Sequence, residues 1–393
     1  MNRRIVHNRL YKTVRSAFIV AAVVGMASCE RRPKLHLFGR GAIDIALPVV
    51  RIDIDTYWNY EVTYGVAYDW RAEWFYGWDD TDRQIFGPIG YTEPNLFQLR
   101  CYFSGDEPGG EHTKMYSNLL RRRTYKMQYN WGYWDFLVWN DVESDDGVQS
   151  LNFDERTMND PVIAYTNQTM SVSRYQAPAF TRSFFEPEQL FSNYKRAVEI
   201  DPMLDDFEYD PVNDVYVKQV DLVMVPITYI YLTQVILHHN QGRIVGVDGT
   251  SNLSGVARTT EINSGTAGSD AVTVQYSTRF KPGCNMNGEK VDIVGGRVMT
   301  FGICDLCANR VVSYEYVKDA NEHYIDVNMQ FNNGMDSTFV FNVTDQVRRR
   351  YKGGVITVEL DMDTIPMPSR KGGSGFDAVV KDFEDGGTHE FGL

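Results

Sequence analysis

The sequence predicts an all-β chain that folds as β-sandwiches behind a leader segment. Three observations carry this. Tyr, Trp, Val and Thr are abundant, with 24 Tyr, 7 Trp and 13% aromatic residues overall, and aromatic and β-branched side chains suit a pleated, half-buried surface. Apolar residues alternate with a period of two over short runs bounded by turn signals, the pattern of strands. Helical periodicity is almost absent, which leaves sheet packed on sheet as the architecture. A chain of 393 residues exceeds what one core usually supports, so two domains are expected.

The leader comes first. Arg3, Arg4, Arg9, Lys12 and Arg15 form a positive segment with no acidic residue, followed by an apolar run from Ala17 to Ser28. A bilayer span needs about 20 residues, so the run is too short to cross and has the form of a secretory signal. Ala27 and Ser28 directly before Cys29 resemble a bacterial lipobox, so Cys29 is expected to carry lipid and to become the mature N-terminus. The competing reading is an ordinary secretory signal with an incidental cysteine. Each buried acyl CH₂ contributes about 0.8 kcal/mol, so two or three chains hold a protein to a membrane.

Loss of the leader removes five basic residues and no acidic one, taking the formal charge from −13 to −18. That balance argues against nucleic acid as a partner, because phosphates demand basic patches. It also argues against broad adhesion to an anionic membrane surface.

Strands follow in order. Ile43, Ile45 and Leu47 alternate with Asp44 and Ala46, Pro48 interrupts, and Val50, Ile52 and Ile54 resume the alternation. Aromatic strands are expected near Val62 to Trp78 and Asn95 to Phe103. Between Tyr125 and Asp141 the apolar phase slips by one after Tyr133, and Gly132 beside the slip predicts a bulge. From Asn152 to Asn213 scattered prolines and acids read as an irregular connector, with one short helix near Pro187 to Ala197. Val215 to Leu237 reads as two buried strands meeting at Pro226, which forbids a long helix. Further strands are expected over Arg243 to Val247, Ala271 to Phe280, Arg297 to Ile303, Tyr324 to Phe331, Thr338 to Val343 and Val355 to Leu360. Asn332-Asn333-Gly334 is a hairpin signal, and Thr344 to Gly354 reads as a short capped helix. The boundaries are therefore a signal peptide over 1–28, a tether over 29–34, a Trp-rich sandwich over 35–154, a connector over 155–214, a second sandwich over 215–365, and a linker and tail over 366–393.

Few motifs carry chemistry. G-x-S-x-G, H-E-x-x-H and phosphate-binding glycine loops are absent from the sequence, so neither an enzyme nor a cofactor is expected. Cys304 and Cys307 lack the second ligand pair of a zinc site, and unpaired thiols are favoured over a disulfide among Cys284, Cys304 and Cys307. Asp141, Glu143 and Asp145 alternate as in a calcium loop, but Asp146 and Asn152 stand where glycine and glutamate belong. Asp79-Asp80, Asp205-Asp206 and Asp361/Asp363 are carboxylate pairs of the kind glycosidases use, and such pairs arise by chance among 52 acidic residues. His238-His239 reads as a surface turn. Trp58, Trp70, Trp74 and Trp78 are candidates for a sugar-stacking platform, against the alternative that they fill a core.

The lipobox with "CERRPKLHL", the stretch "NWGYWDFLVWND", and "YIYLTQVIL…GVDGTSNLSGVART" with its SGVA step at Ser254 to Ala257 resemble the fimbrillin-like lipoproteins of Bacteroidetes, within them an uncharacterised-domain family. The resemblance implies two tandem transthyretin-like, Greek-key β-sandwiches, lipid attachment to the outer membrane, and a structural or adhesive role as a pilus component or surface adhesin. It implies other pilus or surface subunits as partners through strand addition, with a glycan as the alternative partner. Arg40 and Arg51 are candidates for the maturation cleavage of that group. Arg31 and Arg32 behind Glu30 depart from its surface-export signal, which leaves surface and periplasmic orientation both open. Asp336-Ser337-Thr338 and Asp363-Thr364-Ile365 resemble its O-glycosylation site, making Ser337 and Thr364 the candidates, with Ser337 expected at a reachable turn.

Overall fold

The computed structural model describes residues 47–54, 69–110, 113–126, 129–142, 150–155, 161–169, 183–201, 207–212, 215–307, 319–369 and 378–380. It is all-β.

The chain opens on β1 (Leu47–Ile54), then two short helices, α1 (Trp70–Glu73) and α2 (Asp80–Phe86). β2 (Phe97–Gly105), β3 (Thr113–Leu120), β4 (Thr124–Lys126) and β5 (Gly132–Asn140) follow, then β6 (Leu151–Asp154), β7 (Ile163–Thr166), β8 (Ser183–Phe185), β9 (Phe191–Ile200) and β10 (Glu208–Asp210). The later part holds β11 (Val215–Pro226), β12 (Tyr229–His238), β13 (Ile244–Ala257), β14 (Thr259–Glu261), β15 (Ala271–Met286) and β16 (Glu289–Thr300). It closes with β17 (Tyr324–Phe331), β18 (Asp336–Asn342), α3 (Thr344–Arg349), β19 (Gly354–Asp361) and β20 (Ala378–Val380).

An eight-stranded sheet runs β3-β2-β5-β9-β11-β1-β4, with β10 beside β11. A nine-stranded sheet runs β19-β12-β16-β15-β13-β17-β18-β20, with β8 beside β15, and β14-β7-β6 form a small third sheet. Long strands turn corners by changing partner, as strands do in sandwiches. β15 pairs with β13 from Ala271 to Ser277 and with β16 from Thr278 onward. β11 meets β9 only at Val225 and Pro226 and runs parallel to β1 before that.

Three apolar clusters result. One gathers Phe97, Leu99, Trp134, Phe136 and Val138 with Val220, Leu222 and Met224 of β11. The largest joins Tyr231, Val235, Leu253, Val274, Val327 and Phe339 of the later strands to Tyr102, Leu137 and Trp139 of the earlier ones. One continuous core therefore runs through both regions. The third lies on the opposite face of β12, where Ile230, Leu232 and Ile236 meet Trp74, Tyr76 and Phe86. β12 is thus buried on both faces, which explains its largely apolar sequence, interrupted only by Thr233 and Gln234 before the terminal His238.

Several expectations hold. The strands flanking Pro226, the hairpin at Asn332-Asn333-Gly334 and the slip beside Gly132 are all present, the last as a register shift between Trp134 and Phe136 against β9. Others are corrected. Residues 70–78 of the expected aromatic strand form α1 and an extended link that leads into α2. The expected helix near Pro187 to Ala197 is β9, and the segment read as irregular carries β7, β8 and β10 as well. Thr344 does not cap α3 with its side chain. The N-cap is Val343, and Thr344 Oγ1 instead accepts from His323 N at 2.9 Å. The SGVA step is a bulge in β13. Gly255 has φ +85°, and a Cβ there would lie 2.4 Å from Glu322 O and 2.8 Å from His323 Nδ1, so both conformation and space require glycine.

Candidate functional site

Two features stand out on the outer face of the nine-stranded sheet: an aromatic cap and, beside it, a polar cleft. The cap starts at Asp69, whose side chain accepts from Arg71 N and caps α1. Trp74 folds inward, its Nε1 donating to Gly77 O at 2.9 Å. Its ring lies 5.4 Å from Tyr76 and 6.5 Å from Trp78, and Trp78 lies 5.4 Å from Phe86. Gln234 of β12 ties the segment down, accepting from Phe75 N at 3.0 Å and donating to Glu73 O at 2.7 Å.

Charge completes the attachment. Asp79 and Asp82 form a reciprocal capping box at the start of α2. Asp82 is fully buried and accepts from Tyr76 Oη at 2.9 Å, Arg279 at 2.7 Å and Lys281 at 2.5 Å. The Asp82 backbone N–H, with Lys281 and Arg279, holds the Asp79 carboxyl well below the usual range. A buried carboxylate needs such partners, because leaving it unpaired costs several kcal/mol.

The cleft encloses about 830 Å³. Thr250 of β13, Gln275 and Ser277 of β15, and Arg297 and Met299 of β16 line one side, and residues 92–96, 140–142 and 185–189 line the other. Phe185, 43% exposed, stands in register with Gln275 across the β8–β15 pair. Glu186 accepts from Met299 N at 3.0 Å, and burial pushes its carboxyl up against the pull of Arg297. Glu188 anchors the loop by accepting from the backbone N–H groups of Ser150 and Leu151 at 2.8 and 2.9 Å.

A third grouping lies at the end of β12. His239 Nδ1 is 3.0 Å from Asp361 Oδ1 and 3.8 Å from Asp363 Oδ2. The Asp361 contact raises the imidazole pKa, and His239 in turn lowers that of Asp361. Among the described residues these three are the His, Cys, Asp and Glu side chains whose ligand atoms converge. All are exposed, and Asp361 also caps the following 3-10 turn. Their geometry is that of a surface ion-pair clasp between the parallel strands β12 and β19.

No family model matches the chain, and no curated protein is matched. Among solved structures, a candidate adhesin from Bacteroides ovatus is similar at 12% identity and TM-score 0.44, with 84% of this chain and 99% of that one covered. A candidate adhesin from Bacteroides thetaiotaomicron is similar at 9% identity and TM-score 0.42, with coverage of 81% and 93%. The fimbrial anchor protein Mfa2 from Porphyromonas gingivalis is similar at 11% identity and TM-score 0.40, with coverage of 80% and 91%.

The remaining sequence candidates are placed as follows. Cys29 and Trp58 lie outside the described residues, as do Arg40, Asp205 and Asp206. Trp70, Trp74 and Trp78 are brought together in the cap, with Trp74 8% exposed and its ring in the core. Ser337 is not at a reachable turn: it lies within β18 and is 4% exposed. Thr364 is exposed, its hydroxyl donating to Asp361 O at 2.7 Å. Cys101, Cys284, Cys304 and Cys307 are free thiols. Phe185 and Arg297 carry no functional signal in the sequence. Phe185 sits in a three-residue strand, and Arg297 reads as an ordinary outward strand residue.

Proposed function

We propose that the chain is a structural or adhesive surface lipoprotein of the fimbrillin-like kind, held to the outer membrane by lipid on Cys29 and working with other pilus or surface subunits. The observation that carries this reading is the continuous apolar core joining the early and late strands. Load applied at an anchored N-terminal side then meets crossed β-layers rather than a hinge. The acidic balance and the short apolar leader fit the same role, and among the described residues no helix is long and apolar enough to cross a membrane. Partners by strand addition suit a sheet whose edge at β18 already takes up a short parallel strand, β20. In-cell crosslinking followed by mass spectrometry tests the partner. The expected product is a covalent adduct with another envelope-anchored surface subunit. Crosslinks to soluble periplasmic enzymes alone would overturn the reading.

A further inference from the structure

The polar cleft contains a group that its own surroundings leave unsatisfied. Arg297 Nε is sealed from solvent and has no hydrogen-bond partner. A buried donor left unmade is costly, more so when it is charged. Glu186 acts on Arg297 through space and offsets part of the burial that disfavours its charge, yet no ion pair joins them among the described residues.

The rest of the lining divides into groups already used and groups still free. The Asn140 side chain donates to Gln189 O and accepts from Phe191 N, and the Gln189 side chain is bonded to Thr92. Glu188 holds Ser150 and Leu151, and Glu93 pairs with Arg123. Those residues build the wall. Thr250, Gln275 and Ser277 make no side-chain hydrogen bond among the described residues, and they lie on adjacent strands next to Phe185. One exposed aromatic face therefore stands beside an amide, two hydroxyls and the Arg297 guanidinium, which lines the cleft and makes no hydrogen bond among the described residues, although its Nε is itself sealed.

We propose that this cleft binds a neutral saccharide, with Phe185 stacking on the apolar face of a sugar ring and Arg297, Gln275, Thr250 and Ser277 bonding its hydroxyls. Charge selects the class. Glu93, Asp141, Glu186 and Glu188 line the cleft against Arg297, so a carboxylate, sulfate or phosphate meets net repulsion, whereas hydroxyl oxygens satisfy the guanidinium without added charge. Past Gly296, β16 pairs with β12 alone, and on its other side Met299 N is taken up by Glu186, so a peptide strand is the alternative that the test must separate from a saccharide. Sites of this kind, apolar on one wall with a few convergent polar groups, favour junctions between layers. The inference stands whether or not Cys29 carries lipid.

The test is an array of neutral gluco-, manno- and galacto-oligosaccharides, printed beside uronic-acid and sulfated glycans and unmodified peptides, and probed with the purified protein. Bound glycans are then titrated calorimetrically. At least one neutral oligosaccharide should bind, and Arg297→Met and Phe185→Ala should each weaken it by about tenfold. Arg297→Met also removes the counter-charge of the buried Glu186, so its melting temperature is measured first to confirm that it folds. Phe185→Ala, at an exposed position, is the variant to rely on if Arg297→Met does not fold. Retention of no neutral glycan, retention only of acidic glycans or only of peptides, or neutral-glycan affinity unchanged in both variants would each overturn the proposal.

Discussion

Asp326 shows how single residues set the pH response of this fold. Its carboxyl is 1% exposed, Oδ1 accepts from Asn252 Nδ2 at 2.7 Å, and Oδ2 has no partner. Burial outweighs the Asn252 bonds and pushes the pKa up to about 7. The folded chain therefore holds a proton that the unfolded chain, with a pKa near 3.9, releases. The stability this contributes is full below about pH 4 and is lost as pH rises toward 7, by up to about 4 kcal/mol. Asp326→Asn should abolish that slope. Denaturant unfolding at pH 5 and pH 8 checks this, and parallel losses in both proteins would contradict it. Asp319 works in the opposite sense. Burial raises its pKa, but bonds from His323 and Asn321 outweigh burial and lower it, so its contribution is present above about pH 4 and lost on acidification below that.

At the scale of elements, the aromatic cap depends on close approach. A Cβ at Gly295 would lie 2.3 Å from the Tyr76 ring, so the ring rests directly on the β16 backbone. Gly295→Ala should destabilise the protein by about 1–3 kcal/mol, read from denaturant unfolding, and an unchanged midpoint would show that the cap can shift. The tail makes a second case. β20 pairs in parallel with Phe339, Val340 and Phe341 of β18. Deleting residues 370–393 should lower the monomer's melting temperature. Unchanged stability with lost self-association would instead assign the tail to a neighbouring subunit.

These elements also show what local sequence can and cannot encode. The β17–β18 hairpin was legible because its turn residues lie between two alternating runs. The cap was not, because "RAEWFYGWDD" is apolar on every side and the residues that pin it, Gln234, Arg279 and Lys281, lie over 150 residues away. β9 escaped because its middle faces solvent: Lys195, Arg196 and Ala197 are exposed. Parallel pairs such as β1–β11 and β12–β19 join segments more than 100 residues apart, and no local pattern marks them. For the same reason His238-His239 and Asp361/Asp363 were each visible, whereas their meeting was not. The cleft was less legible still, since its free groups come from β8, β13, β15 and β16, whose neighbourhood only the sheet order creates.

The whole molecule combines an all-β core, an acidic balance of charge and an N-terminal basic and apolar segment that runs up to Cys29. The proposed role requires that Cys29 fix the chain to the envelope while the sheets stand away from it. Membrane fractionation of cells expressing the wild-type chain and Cys29→Ser tests this most directly, with intact-cell labelling by [³H]palmitate as the readout of lipid. The wild type should sediment with the membranes and carry label, and Cys29→Ser should lose the label and move to the soluble fraction. Undiminished membrane retention of Cys29→Ser would contradict the account.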